Sequence, residues 1–346
     1  MEFLSNYGLF LAKSVTIVIA ILFVVIGIIA ASSRGKKDQD GEIEVTYIND
    51  KYDDLENALK FAVLDDDELK QEQKALKKKH KQEKKAKKSA DSEDRKKRVY
   101  VINFDGDIKA SAVASLREEI TTILTMAERE DEVVLCLESP GGMVHTYGLA
   151  ASQLARITKK DIPLTVAVDA VAASGGYMMA CIGDKILAAP FAIIGSIGVV
   201  AQLPNFHRLL KKNDIDFELF TAGEHKRTVT MFGENTDKGR KKFIEELEDT
   251  HQLFKSFVSE HRPEVNVSEV ATGEIWYGQR AIEKNLIDDI QTSDEYLMAQ
   301  REECDIYQIK FAKKKTLQEK LGLAVQYTTD GIFTKIWERL RNDRPF

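Results

Sequence analysis

A serine followed by two glycines, Ser174-Gly175-Gly176, lies between an apolar, β-rich run from Val166 and a stretch of small and apolar residues ending at Cys181. The glycines let the backbone turn sharply and come close to another segment, and the small neighbours Ala172 and Ala173 leave the hydroxyl uncovered at the head of a helix. An acyl-transfer nucleophile has those requirements. The same residues also suit a plain strand-to-helix turn with a capping serine. A second glycine pair stands in Ser139-Pro140-Gly141-Gly142, directly after the apolar run EVVLCLE. The N–H groups of such a turn can converge on one point and stabilise a developing oxyanion by about 3 to 4 kcal/mol per donor.

A serine nucleophile needs a base, and the chain offers two kinds. His145 or His225 with Asp169 would make a Ser-His-Asp arrangement, although neither histidine has a carboxylate partner evident in the sequence. Lys226, in the loop Thr221-Ala222-Gly223-Glu224-His225-Lys226-Arg227, would make a Ser-Lys dyad. A lysine amine titrates near 10.4 in water, so service as a base near neutrality demands a desolvation worth about 4 kcal/mol. A solvated surface role is the competing reading in a chain with 50 Lys and Arg residues.

The elements that must position these groups follow from periodicity. Residues 99–105 and 132–138 read as buried strands, with a helical pattern from Ser111, as cap, to Ala127 between them. A helix over 145–157, a strand over 163–168 and a helix over 174–182 continue the alternation. Further strands are expected at 185–188, 198–200 and 217–221, and helices at 205–212, 237–261 and 278–285. Strands alternating with helices indicate βαβ units around a mostly parallel sheet, whose functional loops gather at the strand C-terminal ends. Cys136, Cys181 and Cys304 have no metal-ligand spacing, so no metal, cofactor or disulfide is expected.

The chain of 346 residues, 43% of them hydrophobic, has room for one large domain with extensions. Its net charge of −6 argues against nucleic acid as a main partner. No charge occurs from Ser14 to Ser33. About 20 such residues match the hydrocarbon core of a bilayer, so residues 1–33 are expected to be a single-pass membrane anchor, a cleaved signal peptide being the competing reading. Residues 34–98 read as a charged spacer, with scattered apolar positions up to Leu64 that suit a short amphipathic piece and a lysine-dense tract after Glu68. The catalytic domain is expected over 99–310. An amphipathic tail over 311–346 would lie on the membrane surface, on a neighbouring subunit or on its own domain.

Taken in order, Ser139-Pro140-Gly141-Gly142, Ala173-Ser174-Gly175-Gly176-Tyr177, Gly195-Ser196-Ile197-Gly198-Val199, Ala222-Gly223 with Lys226, and Gly273-Glu274-Ile275-Trp276-Tyr277-Gly278-Gln279 resemble the successive motifs of the signal peptide peptidase A family of serine peptidases. The resemblance covers about Val99 to Ile309 and, with the anchor and spacer, points to the single-domain members of the bacterial inner membrane. It implies an α/β, ClpP/crotonase-like fold with a parallel sheet and flanking helices. It also implies Ser174 as nucleophile, Lys226 as general base, Gly141 as oxyanion donor with Gly142 beside it, and Ser196 as the hydroxyl that orients the lysine. Relatives form rings in which a dyad can be completed across a subunit boundary, so a homo-oligomer is implied. His225 stands where many relatives have Tyr or Phe.

The expected activity is cleavage of apolar or unfolded peptides such as signal peptide remnants, with Met143, Val171 and Ile197 lining the side-chain pockets. A crotonase-like acyl-CoA enzyme and a catalytically inactive membrane scaffold are the alternatives. The positive-inside rule, applied to Arg34, Lys36 and Lys37, places the bulk of the chain in the cytoplasm, whereas relatives work on the outer face.

Overall fold

The computed structural model describes residues 7–11, 13–14, 16–17, 41–65, 67–69 and 95–313. Ile43–Ala312 form one compact unit; the flanking residues form a second, of which only short stretches are described. Most of the expected membrane span, most of the lysine-dense tract and the tail beyond Lys313 lie outside the described residues. Among the described residues no helix is long and apolar enough to cross a membrane.

In chain order the elements are β1 (Gly41–Tyr47), α1 (Ile48–Val63), β2 (Lys97–Asp105), α2 (Val113–Leu124), β3 (Glu132–Glu138), α3 (Val144–Thr158), β4 (Leu164–Val168), β5 (Val171–Ala173), α4 (Gly175–Ala180), β6 (Lys185–Ala188), β7 (Ile193–Gly195), α5 (His207–Lys212), α6 (Asp237–His261), α7 (Val267–Val270), β8 (Ile275–Tyr277), α8 (Gly278–Ala281), β9 (Asp289–Ile290), α9 (Ser293–Gln300) and β10 (Cys304–Lys313). A seven-stranded sheet runs β1-β10-β2-β3-β4-β6-β9, and β5-β7-β8 form a second sheet of three strands. The pairs from β10 through β9 are parallel, as is β5 with β7, while β8 joins antiparallel. The fold is therefore α/β with a mostly parallel sheet and flanking helices.

Because successive strand residues point to opposite faces, β2 and β3 are apolar on both sides and need two covers. Ile102, Phe104, Leu135 and Leu137 pack with Leu116 and Ile120 of α2, Leu154 of α3 and Met179 of α4. On the other face Val99, Val101 and Val134 pack with Leu297 of α9 and Ile48 of α1.

Several expectations change. Ser111 does not cap α2; its N–H and hydroxyl both donate to the Asp107 carboxylate, and the helix begins after Ala112. Residues 198–200 and 217–221 are not strands, and the strand beside β5 is instead β7. In the spacer, the stretch up to Leu64 read as suiting a short amphipathic piece forms β1 and α1. Asn49, buried in α1, donates to the Arg301 and Cys304 carbonyls and accepts from the Ile306 N–H, tying α1 to β10.

Candidate active site

Strands β2, β3 and β5 end side by side. Ser139, the residue after β3, continues the pairing into β5: its N–H donates to the Val171 carbonyl at 2.8 Å, and its own carbonyl accepts from Ala173 at 3.0 Å. The Gly141-Gly142 turn is thereby delivered to the end of β5, where Ser174 begins. Gly141 has φ +86°, and a Cβ there would lie 2.7 Å from the Ala173 carbonyl, 2.7 Å from the Gly175 nitrogen and 2.8 Å from Ser174 Cβ. Only glycine lets the turn touch the serine so closely.

Ser174 has φ 53° and ψ −117°, a conformation rare for a residue with a side chain, and it precedes α4 directly. Its N–H is held by the Gly195 carbonyl at 2.8 Å. Gly195 in turn precedes Ser196, itself at φ 52°, whose N–H donates to the Glu274 carbonyl at 2.7 Å. The structure thus brings Gly141 and the Gly195 carbonyl into contact with Ser174, with Gly142 and Ser196 as their neighbours in sequence.

The amides around Ser174 are not equivalent. The Gly141 N–H donates to Ser139 Oγ at 3.1 Å. Neither the Gly142 nor the Gly175 N–H has an acceptor among the described residues. Gly175 was not singled out from the sequence as a donor. Its signal was its place as first residue of the helix behind the serine, where an N–H has no intrahelical acceptor.

None of the candidate bases hydrogen-bonds Ser174 within one chain. Lys226 is exposed, its backbone N–H donating to the Gly223 carbonyl, and its amine makes no hydrogen bond to Ser174. His145 is exposed on α3, and His225 lies 3.8 Å from Glu224. Asp169 accepts from the Ser293 N–H at 2.8 Å and from the Ser293 hydroxyl, so it orients no histidine. Met143 is exposed and Val171 half-buried, but Ile197 is fully buried and lines no open pocket. Among the described residues no cluster of His, Cys, Asp or Glu fits a metal ion.

A strained serine at a helix N-terminus, pressed against a glycine turn and flanked by unpaired amides, is the arrangement of an acyl-transfer hydrolase. Residues 2–154 match the N-terminal part of peptidase family S49, and residues 156–306 match peptidase family S49 itself. The chain belongs to peptidase family S49 and is a protease of that family. It is 53% identical to "Probable protease SohB" of Haemophilus influenzae, covering 93% of this chain and 92% of the relative. It is 47% identical to "Probable protease SohB" of Buchnera aphidicola subsp. Acyrthosiphon pisum, covering 97% and 98%. Among solved structures, a membrane-bound stomatin-specific protease in complex with a substrate peptide aligns with a TM-score of 0.40 at 15% identity, over 68% of this chain and 99% of that one.

Proposed function

We propose that the protein is a membrane-anchored serine endopeptidase of the bacterial inner membrane, cutting apolar or unfolded peptides through Ser174 and a Lys226 contributed by a second copy of the chain. The observation that carries the nucleophile is the backbone of Ser174, whose left-handed φ is held by the Gly195 carbonyl while the Gly141 turn presses on its Cβ. Strain of this kind persists only where the surroundings enforce it.

The second copy is supported by the surroundings of Lys226. Its loop belongs to a stretch whose large apolar side chains are exposed, among them Val200, Leu209, Leu219 and Phe220. Phe206 stacks on Phe232 there and Phe217 tilts against the same ring, and none of the three is buried. An apolar surface of this kind marks a protein contact, and covering it would also desolvate an amine placed beside it.

In the reaction, the neutral amine of Lys226 takes the Ser174 hydroxyl proton as Oγ attacks the peptide carbonyl. The oxyanion is received by the Gly142 and Gly175 amides, the Gly141 turn holding them to the serine, and Ser196 orients the amine. The C–N bond then breaks, and the ammonium returns the proton to the leaving amine. Water attacks the acyl ester, giving a proton to Lys226; as the ester C–O bond breaks, the ammonium returns that proton to Ser174 Oγ and the acid is released. Peptide substrates rest against Met143 and Val171. Residues 14–33 anchor the chain in the bilayer, and no metal or cofactor enters the mechanism. The acyl-CoA reading falls away with membership of a peptidase family.

The test uses the full chain in detergent, a fluorophosphonate label and an unfolded protein substrate. Ser174→Ala and Lys226→Ala are each expected to lose turnover. Mixing the two under subunit exchange is expected to restore about a quarter of wild-type activity, because random pairing reunites an intact serine with an intact lysine at that frequency. Turnover retained by Ser174→Ala would overturn Ser174 as the nucleophile, and mixtures that stay inactive would place both dyad groups within one chain.

A further inference from the structure

Three backbone segments surround Ser174, and two buried hydroxyls tie them together. Ser139 and Tyr147 are both fully buried, with their oxygens 2.6 Å apart. Tyr147 also reaches the Asp107 carbonyl at 2.8 Å, and a carbonyl can only accept. The single phenolic proton therefore goes to Asp107, the Ser139 proton goes to Tyr147, and Ser139 accepts from the Gly141 N–H. Every hydrogen bond in the chain has one possible direction.

The Tyr147 ring does more than carry that oxygen. A Cβ on Gly175 would lie 2.4 Å from its Cγ, so the ring supports the first residue of the helix behind Ser174. A Cβ on Gly106 would lie 2.5 Å from the Tyr147 hydroxyl and 2.3 Å from Ser139 Oγ. Beyond the hydroxyls, Gly142 abuts the Ile108 backbone, whose carbonyl accepts from Met143 at 2.9 Å. Residues 106–107 and Gly175 therefore meet on the Tyr147 side chain, and the Gly141-Gly142 turn joins them through Ser139 Oγ and the Ile108 backbone. Burial holds the Tyr147 phenol above its ordinary range, so it remains a donor through neutral and mildly alkaline pH.

We infer that Ser139 and Tyr147 form a positioning relay, which fixes the amides of the glycine turn against Ser174 and so acts on the chemical step rather than on peptide binding. The inference rests on Ser174 being the nucleophile. Neither residue touches substrate; each acts through Gly141 and Gly175. Misplacing an oxyanion donor by a fraction of an ångström weakens it only where charge develops, so kcat falls and KM does not.

Tyr147→Phe and Ser139→Ala each remove one oxygen and add nothing. In the full-length protein, each is expected to lower kcat roughly 10- to 100-fold with KM changed less than about twofold. The double variant is expected to be no worse than the poorer single one, because both break the same chain. Tyr296→Phe, which removes a hydroxyl donated to Glu132 at the far end of β3, serves as the matched control. It is expected to lower the melting temperature and leave kcat unchanged. Should Ser139→Ala fail to fold, Ser139→Cys, which keeps a weak donor, is expected to give a kcat below wild type at unchanged KM. An unchanged or raised kcat, losses that multiply in the double variant, or a kcat that falls in Tyr296→Phe as well would overturn the relay. Activity indifferent to Ser174→Ala would instead sink the nucleophile assignment, so the two failures are told apart.

Discussion

Gly141 and Gly223 share a left-handed backbone, with φ +86° and +99°, but they differ in what surrounds them. A Cβ at Gly223 meets nothing within 4 Å, whereas at Gly141 it drives into the Ala173 carbonyl and Ser174 Cβ. Gly223→Ala is therefore expected to cost only the backbone strain, about 1 kcal/mol, and to leave Ser174 labelling intact. Gly141→Ala adds a backbone clash at the proposed nucleophile and is expected to abolish labelling by a fluorophosphonate while the protein still melts cooperatively. Equal labelling of the two variants would count against the contact. Ser174 and the two glycine pairs were legible in the sequence because their demands are local: small residues at a turn between a strand and a helix. The Ser139–Tyr147 pair was not, since its third member, Asp107, is 40 residues from Tyr147 and offers only a backbone carbonyl.

At the opposite end of the sheet, the start of β3 holds two buried carboxylates on the basic start of β2. The Asp131 side chain has no exposed surface and binds Arg98 at 2.8 Å and Arg95 at 3.0 Å. Glu132 accepts from Lys97 at 2.5 Å, Tyr296 at 2.5 Å and Thr165 at 2.7 Å. Burial raises both carboxyls, but these donors outweigh it and hold both below the usual carboxylate range. A lowered folded-state value stabilises above the unfolded value, and the stabilisation is lost as pH falls through the folded one. Asp131→Asn leaves the two arginines facing a neutral amide and is expected to cost about 3 to 5 kcal/mol at neutral pH, read by urea unfolding. The variant should also lose less stability than wild type between about pH 6 and pH 3; parallel pH profiles would argue against the assignment. The strands anchored here were legible because both faces are buried and their apolar runs are continuous. Residues 217–221 carry a similar β-like pattern yet form no strand: among the described residues none pairs with them. For β1 and α1 the scattered apolar positions up to Leu64 suggest an amphipathic piece, and Ile43 and Ile48 do pack on the core, but the anchor Asn49 is polar and no apolar periodicity reveals it.

For the molecule as a whole, the proposed nucleophile Ser174 follows β5 beside the end of β3, and the proposed base Lys226 sits on a segment with exposed apolar side chains. Phe220, six residues before the lysine, is 87% exposed. If a second copy covers this segment, a charge placed there should break assembly without touching the fold of the single chain. Phe220→Asp is expected to leave the melting temperature of the catalytic unit nearly unchanged, since exposed substitutions usually alter stability by no more than about 0.5 kcal/mol. It should shift the protein to a smaller species in light scattering. Turnover should fall with the assembly, because the amine would remain in water, protonated, and without a serine to serve. Crosslinking the variant's copies near their native separation should then recover part of the lost turnover. A Phe220→Asp protein that dissociates to single chains and stays fully active would show that Lys226 needs no neighbour, and that loop closure within one chain brings it to Ser174.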